Sequence, residues 1–188
     1  MSRWEPNARG RLEQAALDLY SERGFEQTTA AQIAERAGLT ERTFFRHYAD
    51  KREVLFAGAP LLEKLFVDTL AETGEKTAPI DAIASTLNAV AAVFLDRYEH
   101  ARQRQAVIVA SSELRERELI KLASLSAALA TTLRGRGVDE PAASLAAEAG
   151  VAVFKVGFAR WINGDGERPL AEFLREALSE LKTVATGS

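Results

Sequence analysis

Apolar residues recur along this chain at the three- and four-residue spacing of amphipathic helices. The first apolar stripe runs from Leu12 to Tyr20 and ends before Gly24, and the most regular one lies in the last predicted helix, residues 168–182. No segment of useful length alternates polar and apolar residues as a half-buried strand does. The pattern therefore predicts an all-α fold of about nine helices.

Helix-capping residues mark short helices in the first third of the chain. Thr29 and Gln32 have the spacing of a capping box, which predicts a helix that begins near Thr29. Gly38 follows this helix, and Thr40 is the expected N-cap of a third helix that ends near His47. The sequence thus predicts two short helices joined by a tight turn.

A fourth helix should begin at Asp50, which stands three residues before Glu53. Pro60 lies inside its apolar pattern, so we expect the helix to kink or break near residues 56–60 and to act there as a pivot. Beyond a polar connector over residues 71–79, further helices are predicted over residues 80–100, 101–110, 112–134, 140–163 and 168–182.

The segment from Gly38 to Lys51, GLTERTFFRHYADK, combines a turn with a capped helix that has basic side chains on its free face. Phe44 is expected to point into the core, while Arg42 and Arg46, four residues apart, share the outer face. Arginine forks bind guanine bidentately in the major groove. The segment therefore predicts a helix-turn-helix that reads duplex DNA.

The distribution of charge agrees with this prediction. The chain has a net charge of −3, yet residues 1–55 hold nine basic against nine acidic residues, so the remaining residues carry the whole excess of acid. Residues 36–52 hold five basic residues against two acidic ones. Basic charge is therefore concentrated at the turn motif, where a phosphate backbone would be bound.

The composition of the chain excludes several kinds of site and segment. There are no cysteines, so disulfides and thiolate metal sites are excluded. We expect from the sequence that no apolar run reaches the roughly 18 residues of a membrane span, and the first residues lack the apolar core of a signal peptide. We expect a cytoplasmic protein with no membrane partner.

The first third of the chain resembles the tetracycline-repressor (TetR) family of bacterial transcription regulators. The family pattern is close to T-x-x-x-I-A-x-x-A-G-[VL]-[ST]-x-x-T-[LF]-[YF]-x-[YH]-F-x-x-K, and the resemblance covers about residues 9–55. The matching residues are Thr29, Ile33, Ala34, Ala37, Gly38, Leu39, Thr40, Thr43, Phe44, Phe45, His47 and Lys51.

The resemblance implies a helix-turn-helix DNA-binding domain over residues 1–50 and a ligand-binding and dimerisation domain over residues 51–188. It further implies a homodimer that binds an operator in double-stranded DNA and a small-molecule effector, without cofactor, metal or catalytic residues. The implied phosphate contacts are Thr29, Thr40, His47 and Lys51, and the implied groove contacts are Arg42, Thr43 and Arg46.

Two positions depart from the family pattern. Phe45 stands where a phosphate-binding tyrosine is frequent, which leaves only an apolar contact such as one with a thymine methyl group. Tyr48 stands where phenylalanine is usual, and we expect it to pack in the core with its hydroxyl at the edge. Helix capping alone would also explain Thr29 and Thr40.

Aromatic residues in the second part of the chain are candidates for a ligand pocket, although such a stripe can equally form a core. They are Phe94, Tyr98, Phe154, Phe158 and Trp161, with Arg104 and Gln105 as possible polar anchors. Residues 101–161 also resemble actinobacterial relatives of the mycofactocin-associated regulator, which implies an acyl-CoA or another long-chain ligand.

The helix predicted over residues 140–163 is rich in alanine and glycine, which permits close approach of neighbouring helices. With the apolar stripe of the last helix it is a candidate four-helix interface with a second copy of the chain. The alternative is that both helices pack within one protomer.

Two other functional classes compete with a ligand-responsive repressor. A helical enzyme lacks support, because His100 has no evident nucleophile partner and no Glu-x-x-His pair occurs. A protein-interaction module with a degenerate DNA-binding head remains an alternative function, because the head is close to neutral. We expect a non-enzymatic, DNA-binding regulator of transcription.

Overall fold

The computed structural model describes residues 7–74 and 76–187. In these residues the chain forms nine α-helices, two short 3-10 helices and no strand, which confirms the all-α prediction. The α-helices are α1 (Ala8–Arg23), α2 (Ala30–Arg36), α3 (Glu41–His47), α4 (Ala59–Glu72), α5 (Pro79–Ala91), α6 (Tyr98–Ala110), α7 (Ser112–Gly135), α8 (Ala142–Ile162) and α9 (Leu170–Thr186). The 3-10 helices are Glu53–Phe56 and Ala92–Phe94.

The described residues form two compact units. The head unit contains residues 7–59 and 103–119, and the body unit contains the remaining described residues. These units do not follow the boundary at residue 50 expected from the sequence. Val54 and Phe56, beyond that boundary, and Ile108, far beyond it, are buried in the same apolar cluster as α1 to α3.

The head unit is organised around side chains that water does not reach. Leu12 of α1, Ile33 of α2 and Phe44 of α3 are each fully buried. Burial of apolar surface is the main favourable contribution to folding. It fixes the orientation of α3, because Phe44 can point inward only if the opposite side of this helix faces outward.

The predicted caps of α2 and α3 are confirmed. The Thr29 hydroxyl accepts from the Gln32 amide at 3.2 Å, and the Gln32 side-chain oxygen accepts from the Thr29 amide at 3.0 Å. The Thr40 hydroxyl accepts from the Thr43 amide at 3.2 Å. These bonds satisfy amides that a helix N-terminus otherwise leaves without a partner.

The predicted fourth helix is broken rather than kinked. Asp50 accepts from the amides of Arg52 and Glu53 at 2.8 and 3.2 Å, but it begins only a single 3-10 turn. The amides of Arg52 and Glu53 are therefore in use within the turn. The α-helix starts again at Ala59, and Pro60 lies in its first turn, where the missing N–H group costs nothing.

One predicted helix boundary is wrong. Residues 80–100 do not form one helix, since α5 ends at Ala91 and α6 begins at Tyr98. The intervening residues contain neither glycine nor proline, so the local sequence carries no signal for this break. The helices predicted over residues 112–134, 140–163 and 168–182 are present, with ends shifted by a few residues.

Close helix contacts in the body unit follow from the glycines of α8. A Cβ atom on Gly150 would come within 2.8 Å of Ile83 on α5, and one on Gly157 within 2.7 Å of Leu174 on α9. The apolar stripe of α9 is buried against these neighbours in the same unit. The apolar stripe of α9 is therefore used within one protomer, and a four-helix interface with a second copy of the chain stays a prediction.

By length and composition, α8 is apolar enough to cross a membrane, contrary to the expectation from the sequence. In the structure, one side of α8 packs in the core of the body unit. A buried core helix meets the same criteria of length and composition.

Candidate nucleic-acid interface and aromatic cluster

The outer side of α3 carries charged side chains that the protein itself does not use. Arg42 and Arg46 are exposed, and neither makes a hydrogen bond or an ion pair with any residue that the structure describes. They lie one helical turn apart, so both guanidinium groups project from the same face. We call this face, formed by Arg42, Thr43, Phe45, Arg46 and His47, the recognition face.

Two other arginines of the head unit, Arg36 and Arg52, have partners. Arg36 forms two hydrogen bonds with Glu22, at 2.8 and 2.9 Å, and holds the pKa of that carboxyl below its usual value. Arg52 donates to Asp50 at 2.6 Å and likewise lowers the pKa of this carboxyl. Arg42 and Arg46 thus differ from Arg36 and Arg52, whose guanidinium groups are already held by carboxylates.

The hydroxyl groups near the recognition face can cap helices and also donate to a ligand. The Thr29 hydroxyl uses a lone pair for its cap, which leaves its proton available. The Thr40 and Thr43 hydroxyl oxygens are 3.0 Å apart, so one of their two protons is shared and the other is available. Capping and phosphate binding are therefore compatible at Thr29 and Thr40.

Phe45 and His47 extend the recognition face. The Phe45 side chain is 52% exposed, although its ring packs edge-on against Phe44 with a centroid distance of 5.3 Å. His47 is exposed as well. A large apolar side chain exposed beside unpaired cations is suited to a surface with both apolar and anionic groups, such as a major groove.

Tyr48 packs as predicted. It is 5% exposed, and its hydroxyl donates to Glu13 at 2.8 Å. Burial and this hydrogen bond raise the pKa of Tyr48. The residue thus ties the end of α3 to α1 and helps to hold the recognition face in place.

Lys51 is used inside the head unit more than the sequence suggested. Its ammonium group donates to the carbonyls of Phe25 and Thr28 at 2.9 and 3.0 Å and lies 4.1 Å from the centre of the Phe25 ring. An ammonium group has three donors, so at most one is left for a phosphate.

Five of the six predicted ligand-binding residues lie together in the body unit, where their rings pack against one another. Neighbouring centroids are 5.3 to 6.3 Å apart, which is the usual range for aromatic pairs. Phe66 on α4 joins them through an edge-on contact with Phe154 at 5.6 Å. The aromatic cluster consists of Phe66, Phe94, Tyr98, Phe154, Phe158 and Trp161.

Phe66 was not predicted to lie with these aromatic residues, because the apolar stripe of α4 gave no sign of its neighbours on α8. The cluster is closed in this structure, with Trp161 only 3% exposed. The Tyr98 hydroxyl donates to the Gly164 carbonyl at 2.6 Å and so fastens the start of α6 to the turn after α8. A ligand that entered here would have to separate these rings.

Arg104, the predicted polar anchor, does not belong to this cluster. It lies in the head unit, where it donates to the Leu55 carbonyl at 2.8 Å and its guanidinium lies 5.0 Å from the centre of the Phe56 ring. Burial lowers the pKa of Arg104. Gln105 donates to Glu118 in the same unit at 3.2 Å. Arg104 and Gln105 thus have partners within the head unit, and their role as polar anchors of a ligand stays a prediction.

Two cavities lie elsewhere in the described residues. One, of about 460 Å³, is in the body unit and is lined by Ala71, Thr73, Thr132, Gly135 and Arg136. The other, of about 250 Å³, is in the head unit and is lined by residues of α1, α6 and the segment after α1. Neither is lined by a residue of the aromatic cluster.

Both the N-terminal and the C-terminal part of the chain match families of known proteins. The family described as "Bacterial regulatory proteins, tetR family" matches residues 13–57, and the family described as "MftR C-terminal domain" matches residues 77–186. The chain belongs to the TetR family. Regulators of this family bind operator DNA and small-molecule effectors and act as dimers.

An individual relative matches only part of the chain. The HTH-type transcriptional regulator TcmR of Streptomyces glaucescens is 35% identical over 82 residues, which are 44% of this chain and 36% of TcmR. The chain thus spans about a third of the length of this curated relative.

Two solved structures share the fold. FadR from Thermus thermophilus, in complex with lauroyl-CoA, is 24% identical with a TM-score of 0.57 and 92% coverage of both chains. FadR from Bacillus subtilis, in complex with stearoyl-CoA, is 18% identical with a TM-score of 0.61, covering 92% of this chain and 96% of that one.

Proposed function

We propose that this TetR-family protein is a homodimeric repressor that reads operator DNA through α3 and leaves it when a small effector binds. The observation that carries the proposal is the pair Arg42 and Arg46, exposed and unpaired on one face of a helix whose other face is locked by Phe44. Long cationic side chains without a protein partner are suited to an anionic macromolecule.

Within this proposal the side chains divide into two roles. Arg42, Thr43 and Arg46 contact base edges and so determine the sequence that is read. Thr29, Thr40, His47 and the remaining donor of Lys51 contact phosphates, which fix register without reading sequence. Phe45 supplies an apolar contact to a thymine methyl group.

A second copy of the chain would occupy an exposed apolar stripe on α8. Leu145 and Val156 are 65% and 53% exposed, and Ala152 and Ala159 lie exposed on the same stripe at heptad spacing. A self-complementary stripe of this kind suits a twofold interface. The small residues would permit close approach of the two α8 helices.

A twofold dimer places two recognition faces in successive major grooves. The centres of the two half-sites should then be about 34–36 Å apart, or a multiple of this distance. The operator should accordingly be an inverted repeat.

The effector proposed is a hydrophobic or amphipathic molecule of the acyl-CoA type. Support comes from the MftR-type C-terminal domain and from the acyl-CoA ligands named for the two FadR structures. The aromatic cluster is the apolar surface that would bind the acyl chain, and opening it would require rearrangement of α4, α6 and α8. Such a rearrangement could alter the half-site separation.

This function is one of binding rather than catalysis, and it belongs in the cytoplasm, where the operator is. Selection of bound fragments from a random DNA pool tests the reading function. We expect enrichment of an inverted repeat by the wild-type protein and none by the Arg42→Ala, Arg46→Ala double variant. Absence of enrichment by the wild-type protein would favour a protein-interaction module, and equal enrichment by the double variant would refute the assignment of α3.

Sedimentation of two matched variants tests the dimer. Val156→Asp places a charge in the α8 stripe, whereas Val184→Asp places the same charge on α9 at a residue that is 77% exposed. We expect the first variant to be a monomer at micromolar concentration and the second to remain a dimer. A dimeric Val156→Asp protein would contradict the proposed interface.

Tryptophan fluorescence tests the effector. The chain has two tryptophans, so Trp4→Phe leaves Trp161 of the aromatic cluster as the single emitter. Stearoyl-CoA should change this emission and release the selected operator over the same concentration range. Operator release without any change in emission would place the effector outside the cluster.

A further inference from the structure

The guanidinium group of Arg136, just after α7, is only partly satisfied by the protein. Its Nη2 atom donates to the Gly74 carbonyl at 2.8 Å. Its Nε and Nη1 atoms are buried and have no hydrogen-bond partner in the part of the chain that the structure describes. Buried donors without partners are rare in folded proteins, and each one calls for an explanation such as a bound water or ion.

The same side chain lines the cavity of about 460 Å³ in the body unit. This volume lies within the range of small-molecule sites, about 300–1,000 Å³. The cavity is formed by the ends of α4 and α7, and its lining residues are not those of the aromatic cluster. It is therefore a second candidate site with different chemistry.

Two threonine hydroxyl groups line the cavity, and both of their protons are already used within the protein. Thr73 donates to the Leu70 carbonyl at 2.7 Å, and Thr132 donates to the Ala128 carbonyl at 2.9 Å. Because each hydroxyl has a single proton, both oxygens can act toward a ligand only as acceptors. The donors that the lining side chains can offer are those of Arg136.

In the part of the chain that the structure describes, no carboxylate pairs with this arginine. Glu140 is held by Arg134 at 2.5 Å and by the Ser144 hydroxyl at 2.9 Å. Arg136 itself has no ion pair among residues 7–74 and 76–187. The side chain that lines the cavity therefore carries a positive charge and two vacant N–H groups.

We propose that this cavity binds a small oxyanion-bearing molecule, with its phosphate or carboxylate on the vacant Nε–H group of Arg136. Hydrogen bonds from a guanidinium N–H group to an anionic oxygen are short and are stronger than those between neutral groups. Hydroxyl or amide groups of the ligand would donate to Thr73 and Thr132. Arg136 is partly exposed, so a turn of its side chain brings this N–H group toward the cavity that it lines.

Arginine Nε–H signals in ¹H–¹⁵N spectra of the full chain provide a direct test. The protein is titrated with inorganic phosphate and, separately, with acetate, each against chloride at the same ionic strength and pH. We expect one signal, absent from the Arg136→Gln protein, to move and saturate. Movement with phosphate alone assigns a phosphate ligand, movement with acetate alone assigns a carboxylate, and movement with both supports an oxyanion of either kind.

The inference is overturned if no Nε–H signal responds beyond the chloride control, or if the responding signal remains in Arg136→Gln. Arg134→Gln is the matched control, since it removes a charge two residues away that Glu140 already holds. It should leave the titration unchanged, and a loss of the response in this variant would also contradict the proposal.

A second variant keeps the proposal testable if Arg136→Gln fails to fold. A Cβ atom on Gly135 would meet nothing within 4 Å, so Gly135→Leu should fill the cavity without displacing the backbone. We expect this variant to bind phosphate and acetate at least tenfold more weakly, and unchanged binding would overturn the cavity assignment. Operator affinity measured on the same samples is independent, because the oxyanion site does not rest on DNA reading.

Discussion

The recognition face and the aromatic cluster contain similar side chains, but those of the recognition face are exposed whereas those of the cluster pack against one another. Phe45 on the recognition face is 52% exposed, whereas Phe154 in the cluster is 8% exposed and contacts three other rings. Arg42 and Arg46 have no partner among the described residues. Side chains without a partner can bind another molecule but add little to the stability of the fold. Side chains that pack against one another stabilise the fold but leave little surface to bind another molecule.

This difference predicts that substitutions in the two regions affect different measurements. On the recognition face, DNA affinity should change while the free energy of unfolding stays nearly constant. In the aromatic cluster, the free energy of unfolding should change first. We thus expect different residues to determine DNA affinity and the free energy of unfolding.

The largest expected effect is loss of operator binding in the Arg42→Ala, Arg46→Ala double variant. Each bidentate contact with a base contributes about 1–3 kcal/mol, so the pair should cost about 2–6 kcal/mol of binding free energy, or roughly 30-fold to over 10,000-fold in affinity. Fluorescence anisotropy with the selected operator measures this loss. Thermal unfolding of the variant should match that of the wild-type protein.

Arg36→Ala is the control for charge. It removes one positive charge from the same unit, but from a side chain that Glu22 already holds. Its effect on affinity should be small. If Arg36→Ala weakens operator binding as much as the double variant does, long-range charge rather than the recognition face determines the affinity.

The second effect, on stability, is expected from Phe154→Ala. Removing a buried phenylalanine typically costs about 3–5 kcal/mol, because apolar contacts are lost and a cavity remains. Urea unfolding followed by circular dichroism should show this decrease. Phe45→Ala, the matched substitution at an exposed ring, should change the unfolding free energy by less than about 0.5 kcal/mol. Equal destabilisation by both substitutions would refute the contrast.

Features governed by local sequence could be predicted. The caps at Thr29 and Thr40 depend on residues three positions away, and the burial of Phe44 and Tyr48 follows from helical periodicity. The helix-turn-helix was predictable for this reason, since its turn, caps and periodicity all lie within a short segment.

Features governed by distant contacts could not be predicted. Arg104 is held by the Leu55 carbonyl, 49 residues away, and Lys51 by carbonyls 23 and 26 residues away. The break before Tyr98 has no local signal, and the vacant donors of Arg136 become visible only when the end of α4 is placed beside it. Such contacts depend on tertiary packing, which a one-dimensional pattern does not contain.

Thr29 allows capping to be separated from phosphate binding, with a smaller expected effect. Thr29→Ala should cost about 0.5–2 kcal/mol of unfolding free energy through loss of the cap. Thr29→Asp caps a helix as well as threonine does but adds a negative charge, which at about 4 Å from a phosphate in water costs about 1 kcal/mol. We therefore expect Thr29→Asp to keep its stability and to lose about fivefold in operator affinity. Unchanged affinity would restrict Thr29 to its capping role.

The smallest expected effect is a gain of affinity in Phe45→Tyr. The ring is already exposed beside Arg42 and Arg46, so an added hydroxyl can reach a phosphate oxygen without changing the core. A hydrogen bond of this kind contributes about 0.5–1.5 kcal/mol, which corresponds to roughly two- to twelvefold tighter binding. Because no charge is added, the dependence of log affinity on log salt concentration should keep its slope. Weaker binding of the tyrosine variant would instead mean that Phe45 lies against an apolar group of the DNA, such as a thymine methyl, where a hydroxyl is unfavourable.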